Sequence, residues 1–284
     1  MRAERDGGKR WSAPRILLWL GGALLVLLLS LGVANLVAPR AVQRVLVGVP
    51  TPLPTSPPAQ PKAAIIDQTG LSFPTPDFLA QAESYLEEAG YLVDRYPPQN
   101  VTVDFFRTLP ARGYQLILFQ THATSEVMLE RDEEREPDAA PGPFLFTTEE
   151  YEEQRYLLLQ LEDQVRASRL FYEDSPLLFA VGPRFVRRSM RGTFPGSVII
   201  IGGCQSLAVP DLAEAFLEKG ASVVIGWDEM VNLSHNNEAL LALLEAMTVT
   251  GLSPQQAVSR AMEVVGPDPS FRSSLDLLQA EAGS

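Results

Sequence analysis

Cysteine and histidine are almost absent from this chain. Of 284 residues one is cysteine, Cys204, and two are histidine, His122 and His235. A lone thiol cannot staple its own chain, which excludes a disulfide framework. One cysteine with two distant histidines also gives no zinc-ligand spacing, so neither a metal nor a cofactor is expected. Basic charge is short as well: 23 Lys and Arg stand against 35 Asp and Glu, leaving a net charge of -12. That balance argues against a protein that tracks phosphates, and nucleic acid is not expected as a partner. No G-x-G-x-x-G follows a strand-like run and no P-loop string occurs, so nothing points to a bound nucleotide.

Apolar sequence, by contrast, is plentiful. With 46% hydrophobic and 20% charged residues, the chain has material for one good-sized globular domain plus appendages. Residues 16–37 carry no charge and match the roughly 20 residues that cross a bilayer core, so a transmembrane anchor is expected there. A cleaved signal peptide is the competing reading, with Gly32 and Ala34 as a small-x-small site. The apolar part of such a peptide usually runs only about 7–15 residues, which favours the anchor. Arg2, Arg5, Lys9, Arg10 and Arg15 precede the run, and only Arg40 and Arg44 follow it closely. By the positive-inside bias, residues 1–15 form a cytoplasmic basic terminus and the main domain lies outside the cytoplasm, tethered to the cell membrane. Residues 38–61, rich in proline from Pro50 to Pro61, read as an extended linker.

From residue 62 onward, strand and helix patterns alternate. Strand-like runs occur at Ala63–Asp67, Tyr91–Asp94, Leu116–Thr121, Val198–Ile201 and Ala221–Trp227. Between them, Pro76 opens a helical pattern capped by Thr75 and ended by Gly90, and further helices are expected near Val103, after Pro210, over Asn237–Met247 and over Pro254–Val265. This alternation predicts an α/β fold, 62–284, with a mostly parallel sheet covered by helices. An insertion at about 125–196 interrupts it. There, Glu130–Asp138 reads as a solvated acidic loop with calcium as a weaker alternative. Thr147 and Glu150 read as a capping box ahead of a helix, and Arg169–Tyr172 with Leu177–Val181 as a hairpin. Arg184, Arg187, Arg188 and Arg191 read as a charged surface turn, with a processing site as the alternative.

Two of these runs end in chemistry. The third strand leads into His122, and the fourth leads through Gly202 and Gly203 into Cys204. If both strands lie in one parallel sheet, the two residues emerge on the edge where open α/β sheets place their ligands. An imidazole there raises the thiolate fraction and protonates a leaving group, which suits nucleophilic catalysis. His235 follows the fifth strand and is a candidate second wall or rival base, its alternative being a surface position near a helix start.

The order His after strand three, insertion, Gly-Gly-Cys after strand four, then Phe216–Gly226, resembles the caspase, gingipain and clostripain group of cysteine peptidases, in particular the bacterial CHAT-type domains. The resemblance implies a caspase-like three-layer sandwich, with Cys204 as nucleophile and His122 as general acid/base. It also implies an oxyanion hole made by the backbone N–H groups of Ala123 and Cys204, although the group usually has glycine where Ala123 stands. Charged residues at the ends of strands one and five would select the substrate. Asp67, Asp228 and Glu229 hold those places and would favour Arg or Lys on the acyl side of the scissile bond. The expected function is therefore a membrane-anchored cysteine endopeptidase acting on a peptide or protein. The alternatives are a catalytically inactive domain of the same fold serving as a tethered binding module, and a redox-sensing thiol.

Overall fold

The computed structural model describes residues 60–124, 142–170 and 174–280. The expected anchor at 16–37, most of the linker and the acidic string at 130–138 lie outside the described residues. Among the described residues, no helix is long and apolar enough to cross a membrane.

Alternation along the central strands decides the architecture, because successive side chains of a strand point to opposite faces. In β1 (Lys62–Asp67) Ala64 and Ile66 enter one apolar cluster while Ala63 and Ile65 enter another. β3 (Leu116–Gln120) divides likewise, Ile117 and Phe119 against Leu116 and Leu118. Strands apolar on both faces must be covered on both, and they are. α1 (Pro76–Glu88), α6 (Leu233–Thr248) and α7 (Pro254–Val264) pack on one side. The other side is covered by α2 (Val103–Thr108), α4 (Pro183–Arg188) and α5 (Asp211–Glu218).

With β2 (Leu92–Tyr96), β8 (Val198–Gly202), β9 (Val223–Trp227) and β10 (Leu275–Gln279), the sheet has six strands in the order β10-β9-β8-β3-β1-β2. All neighbours run parallel except β10, which pairs antiparallel with β9. The expected α/β fold with a mostly parallel sheet flanked by helices is thus present. β10 was not foreseen from the sequence.

The insertion builds a second sheet, in which β4 (Ala123–Thr124), β5 (Phe144–Glu150), β7 (Leu178–Val181) and β6 (Val165–Ser168) lie in that order, all antiparallel. Three expectations are corrected here. Thr147 and Glu150 lie within β5 rather than capping a helix, and the Thr147 hydroxyl donates to the Phe179 carbonyl on β7 at 2.7 Å. The helix, α3, starts only at Leu157 and ends at Leu161. The hairpin exists, but its first strand is Val165–Ser168, with Ser168 opposite Leu178. The arginine-rich segment is also not a turn. Arg184, Arg187 and Arg188 lie in α4, which buries Phe185 and Val186, and Arg191 lies beyond its end; Arg187 grips the Glu218 carboxylate of α5 through two nitrogens at 2.7 and 3.1 Å.

Candidate active site

β3 and β8 are adjacent and parallel, with Gln120 opposite Gly202, and His122 and Cys204 each stand two residues beyond that pair. The ladder continues one step past it, since Thr121 N–H donates to the Gly202 carbonyl at 3.3 Å. The two glycines make the approach possible. A Cβ on Gly203 would lie 2.6 Å from the Thr121 carbonyl oxygen and 3.0 Å from the Ala123 Cβ. One on Gly202 would lie 2.6 Å from Leu240 Cδ1. A side chain on Gly203 would wedge the two strand ends apart, and one on Gly202 would press against Leu240 of α6. Just past the cysteine, Gln205 turns the chain with a left-handed φ of 56°, and its N–H is held by the Glu229 carbonyl at 3.0 Å.

His122 is fixed through its backbone. Its N–H donates to Gln68 Oε1 at 2.9 Å, and its carbonyl accepts from Phe146 N–H at 3.0 Å. Gln68 is itself held, donating through Nε2 to the Thr147 carbonyl at 3.1 Å. The imidazole meets the rings of Phe73 and Phe146 edge to face, each at 5.9 Å between centroids. Its Nε2 is buried without a hydrogen-bond partner. Burial in this aromatic slot pushes the imidazole down to about 4, so it is neutral near pH 7.

Cys204 is half-buried, and its sulfur rests 3.6 Å from the Val231 carbonyl oxygen. Burial pushes the thiol above its ordinary range; backbone contacts with Val231 and its own amide oppose this, while the carboxylates of Glu229 and Asp268 add to it. No hydrogen bond joins this sulfur to His122. Burial thus favours a neutral thiol and a neutral imidazole at rest. This corrects the expectation of a raised thiolate fraction in the unliganded molecule.

Both residues nevertheless line one cavity of about 260 Å³, whose walls include Phe73, Met230, Val231 and Phe271. Of the two expected oxyanion donors, Cys204 lines this cavity and Ala123 does not. Ala123 opposes Leu145, while the neighbouring His122 carbonyl takes the Phe146 N–H. That makes Ala123 a non-hydrogen-bonded position of the β4–β5 pair, so its N–H faces away from β5. Its nitrogen lies 3.3 Å from the point a Gly203 Cβ would occupy. Cys204 N–H donates to no backbone carbonyl among the described residues.

The expected substrate-binding residues Asp67, Asp228, Glu229 and His235 do not line the cavity either. Asp67 ends β1, but its carboxylate accepts from the Gly70 N–H and from the Thr69 hydroxyl at 3.4 Å, closing the turn Thr69–Leu71. Burial raises its pKa above the usual range. Asp228 accepts the Ser274 N–H at 2.7 Å and anchors β10. Glu229 accepts from Gln205 Nε2 at 2.8 Å and from Met230 N–H at 2.9 Å. His235 turns from the cavity, its Nε2 3.0 Å from the Gly266 carbonyl and its ring against Trp227.

Two supports went unnoticed in the sequence. Beneath the cavity, Asn236 accepts the Trp227 indole N–H at 2.7 Å and donates to Gln120 Oε1 at 3.1 Å, while Gln120 donates to Asn237 at 2.8 Å. At the rim, buried Asp268 collects the N–H groups of Asn232, Ser270 and Phe271 and the Asn232 amide. These bonds outweigh burial and hold its pKa low. Among the described residues, no group of three or more His, Cys, Asp or Glu is placed to hold a metal ion. No protein-family model matches the chain, and no curated protein matches it.

Proposed function

We propose that residues 62–284 form a caspase-like cysteine hydrolase of amide bonds, with Cys204 as nucleophile and His122 as general acid/base. The observation that carries this reading is the placement of both side chains on one cavity wall, at matching positions past adjacent parallel strands. Attack by sulfur on the substrate carbonyl carbon forms the S–C bond as the thiol proton passes to His122. The C–N bond then breaks, and the same proton leaves on the amine. Water, deprotonated by the imidazole, displaces the sulfur to give a carboxylic acid and the regenerated thiol. Charge developing on the carbonyl oxygen faces the N–H groups of Ala123 and Cys204. Catalytic hydrogen bonds often tighten only with substrate bound, which accommodates the missing sulfur–imidazole bond at rest.

The apolar run at 16–37 and the basic residues before it support a membrane-anchored protein whose domain faces away from the cytoplasm. The test of the chemistry is cleavage of a peptide library by the full chain in detergent. Turnover abolished by both Cys204→Ala and His122→Ala is expected. A second reading, an inactive tethered binding module, is favoured by the thiol resting on the Val231 carbonyl instead of the imidazole. Retained peptide binding with no turnover would establish it in place of the first.

A further inference from the structure

The cavity wall carries no carboxylate. Apart from His122 and Cys204, no ionisable side chain lines it among the described residues. The acids nearby are already engaged. Glu229 accepts from Gln205 and Met230, and both Asp268 oxygens are taken by Asn232, Ser270 and Phe271. Asp67 closes its own turn and Asp228 holds the start of β10. A lysine or arginine entering here would lose its hydration with no carboxylate on the wall to pair with directly, and the Glu229 and Asp268 carboxylates behind it are already saturated by N–H donors.

Apolar surface, in contrast, gathers at the mouth. Phe73 and Phe271, both lining the cavity, are 43% and 39% exposed, and adjoining Leu71 is 70% exposed. Deeper in, Met230, Val231 and Leu233 complete the wall. A volume of about 260 Å³ is below the roughly 300–1,000 Å³ of sites for drug-sized ligands, which suits a single side chain with its adjoining backbone. An exposed cluster of large apolar side chains around a small concavity marks a contact surface for matching chemistry.

Resting on the hydrolase reading, we infer that the cavity selects an uncharged, apolar acyl-side residue of about Leu, Met or Phe size. This departs from the Arg or Lys preference that the resemblance implies.

Peptidyl acyloxymethyl ketones differing only in the residue beside the ketone test it on the full chain in detergent. In labelling, the Cys204 sulfur bonds to the methylene carbon and displaces the carboxylate, while the thiol proton is lost through His122 to solvent. Rates are read by intact mass. Leu, Met and Phe probes are expected to label at least tenfold faster than Arg, Lys or Asp probes, and Cys204→Ala should stay unlabelled. Met230→Glu is expected to shift the ratio toward the Arg probe by tenfold or more. Equal rates, or faster labelling by Arg or Lys, would overturn the inference and leave the hydrolase intact. Absence of labelling by every probe, with iodoacetamide still reaching Cys204, would overturn both.

Discussion

Gly203 lies so close to the strand end carrying His122 that a methyl group on it would stand 2.6 Å from the Thr121 carbonyl oxygen. Relief by a flexible side chain is not available, because the obstacle is backbone paired into the same sheet. Gly203→Ala is therefore expected to destabilise the domain by about 1–3 kcal/mol, the range for overpacking. It should also move the thiol away from the imidazole. Urea unfolding reads the first effect, and loss of Cys204-dependent turnover reads the second. An alanine variant of unchanged stability and activity would show that the strand ends separate freely.

The Trp227 indole, Asn236 and Gln120 form a buried chain of amide and ring donors under the cavity floor. Replacing Asn236 by Leu strands the indole N–H and the Gln120 Oε1 together. Each orphaned buried group costs about 1–3 kcal/mol, so this variant should lose more stability than a surface Asn replacement. Tm and the tryptophan emission maximum check it, and unaltered values for both would mean the network carries little.

Much of this was legible in one dimension, and the failures have physical causes. The runs leading to His122 and Cys204 announced themselves because strands buried on both faces are continuously apolar, and each run ended abruptly in glycine or a polar residue. β10 stayed hidden because Leu275–Gln279 contains no β-branched residue and is held at the sheet edge by main-chain pairing with β9. Thr147 misled because a Thr-x-x-Glu spacing suits a strand as readily as a helix cap, and Phe144–Phe146 before it decided for the strand. Asp67 was placed correctly at a strand end, but the Thr69–Leu71 turn directs its carboxylate inward. The Gln120–Asn236 amide pair spans a separation of 116 positions and leaves no local pattern to read.

The resting thiol makes a kinetic prediction of its own. Burial raises the Cys204 pKa, so the thiolate is scarce at neutral pH and becomes available only in the alkaline range. Alkylation by iodoacetamide without substrate should be slower than for glutathione at pH 7 and should climb to an inflection above the ordinary thiol value. His122→Ala should leave that resting profile nearly unchanged, because no hydrogen bond links the two groups. A thiolate already formed at pH 6 would contradict the neutral pair.

His122 also ties stability to pH. Its folded value of about 4 lies below the ordinary 6.5 because burial disfavours the charged ring. Between these values the unfolded chain binds the proton and the folded chain does not. Stability is therefore complete above about pH 6.5 and falls as pH drops toward 4, with a slope of up to about 1.4 kcal/mol per unit from this one group. Below pH 4 both states are protonated and the slope from this group vanishes. His122→Leu keeps an apolar side chain between Phe73 and Phe146 and removes the titration. Urea unfolding from pH 7 to 4 should show a shallower decline for this variant than for the parent chain, and parallel curves would show that the ring is hydrated in solution.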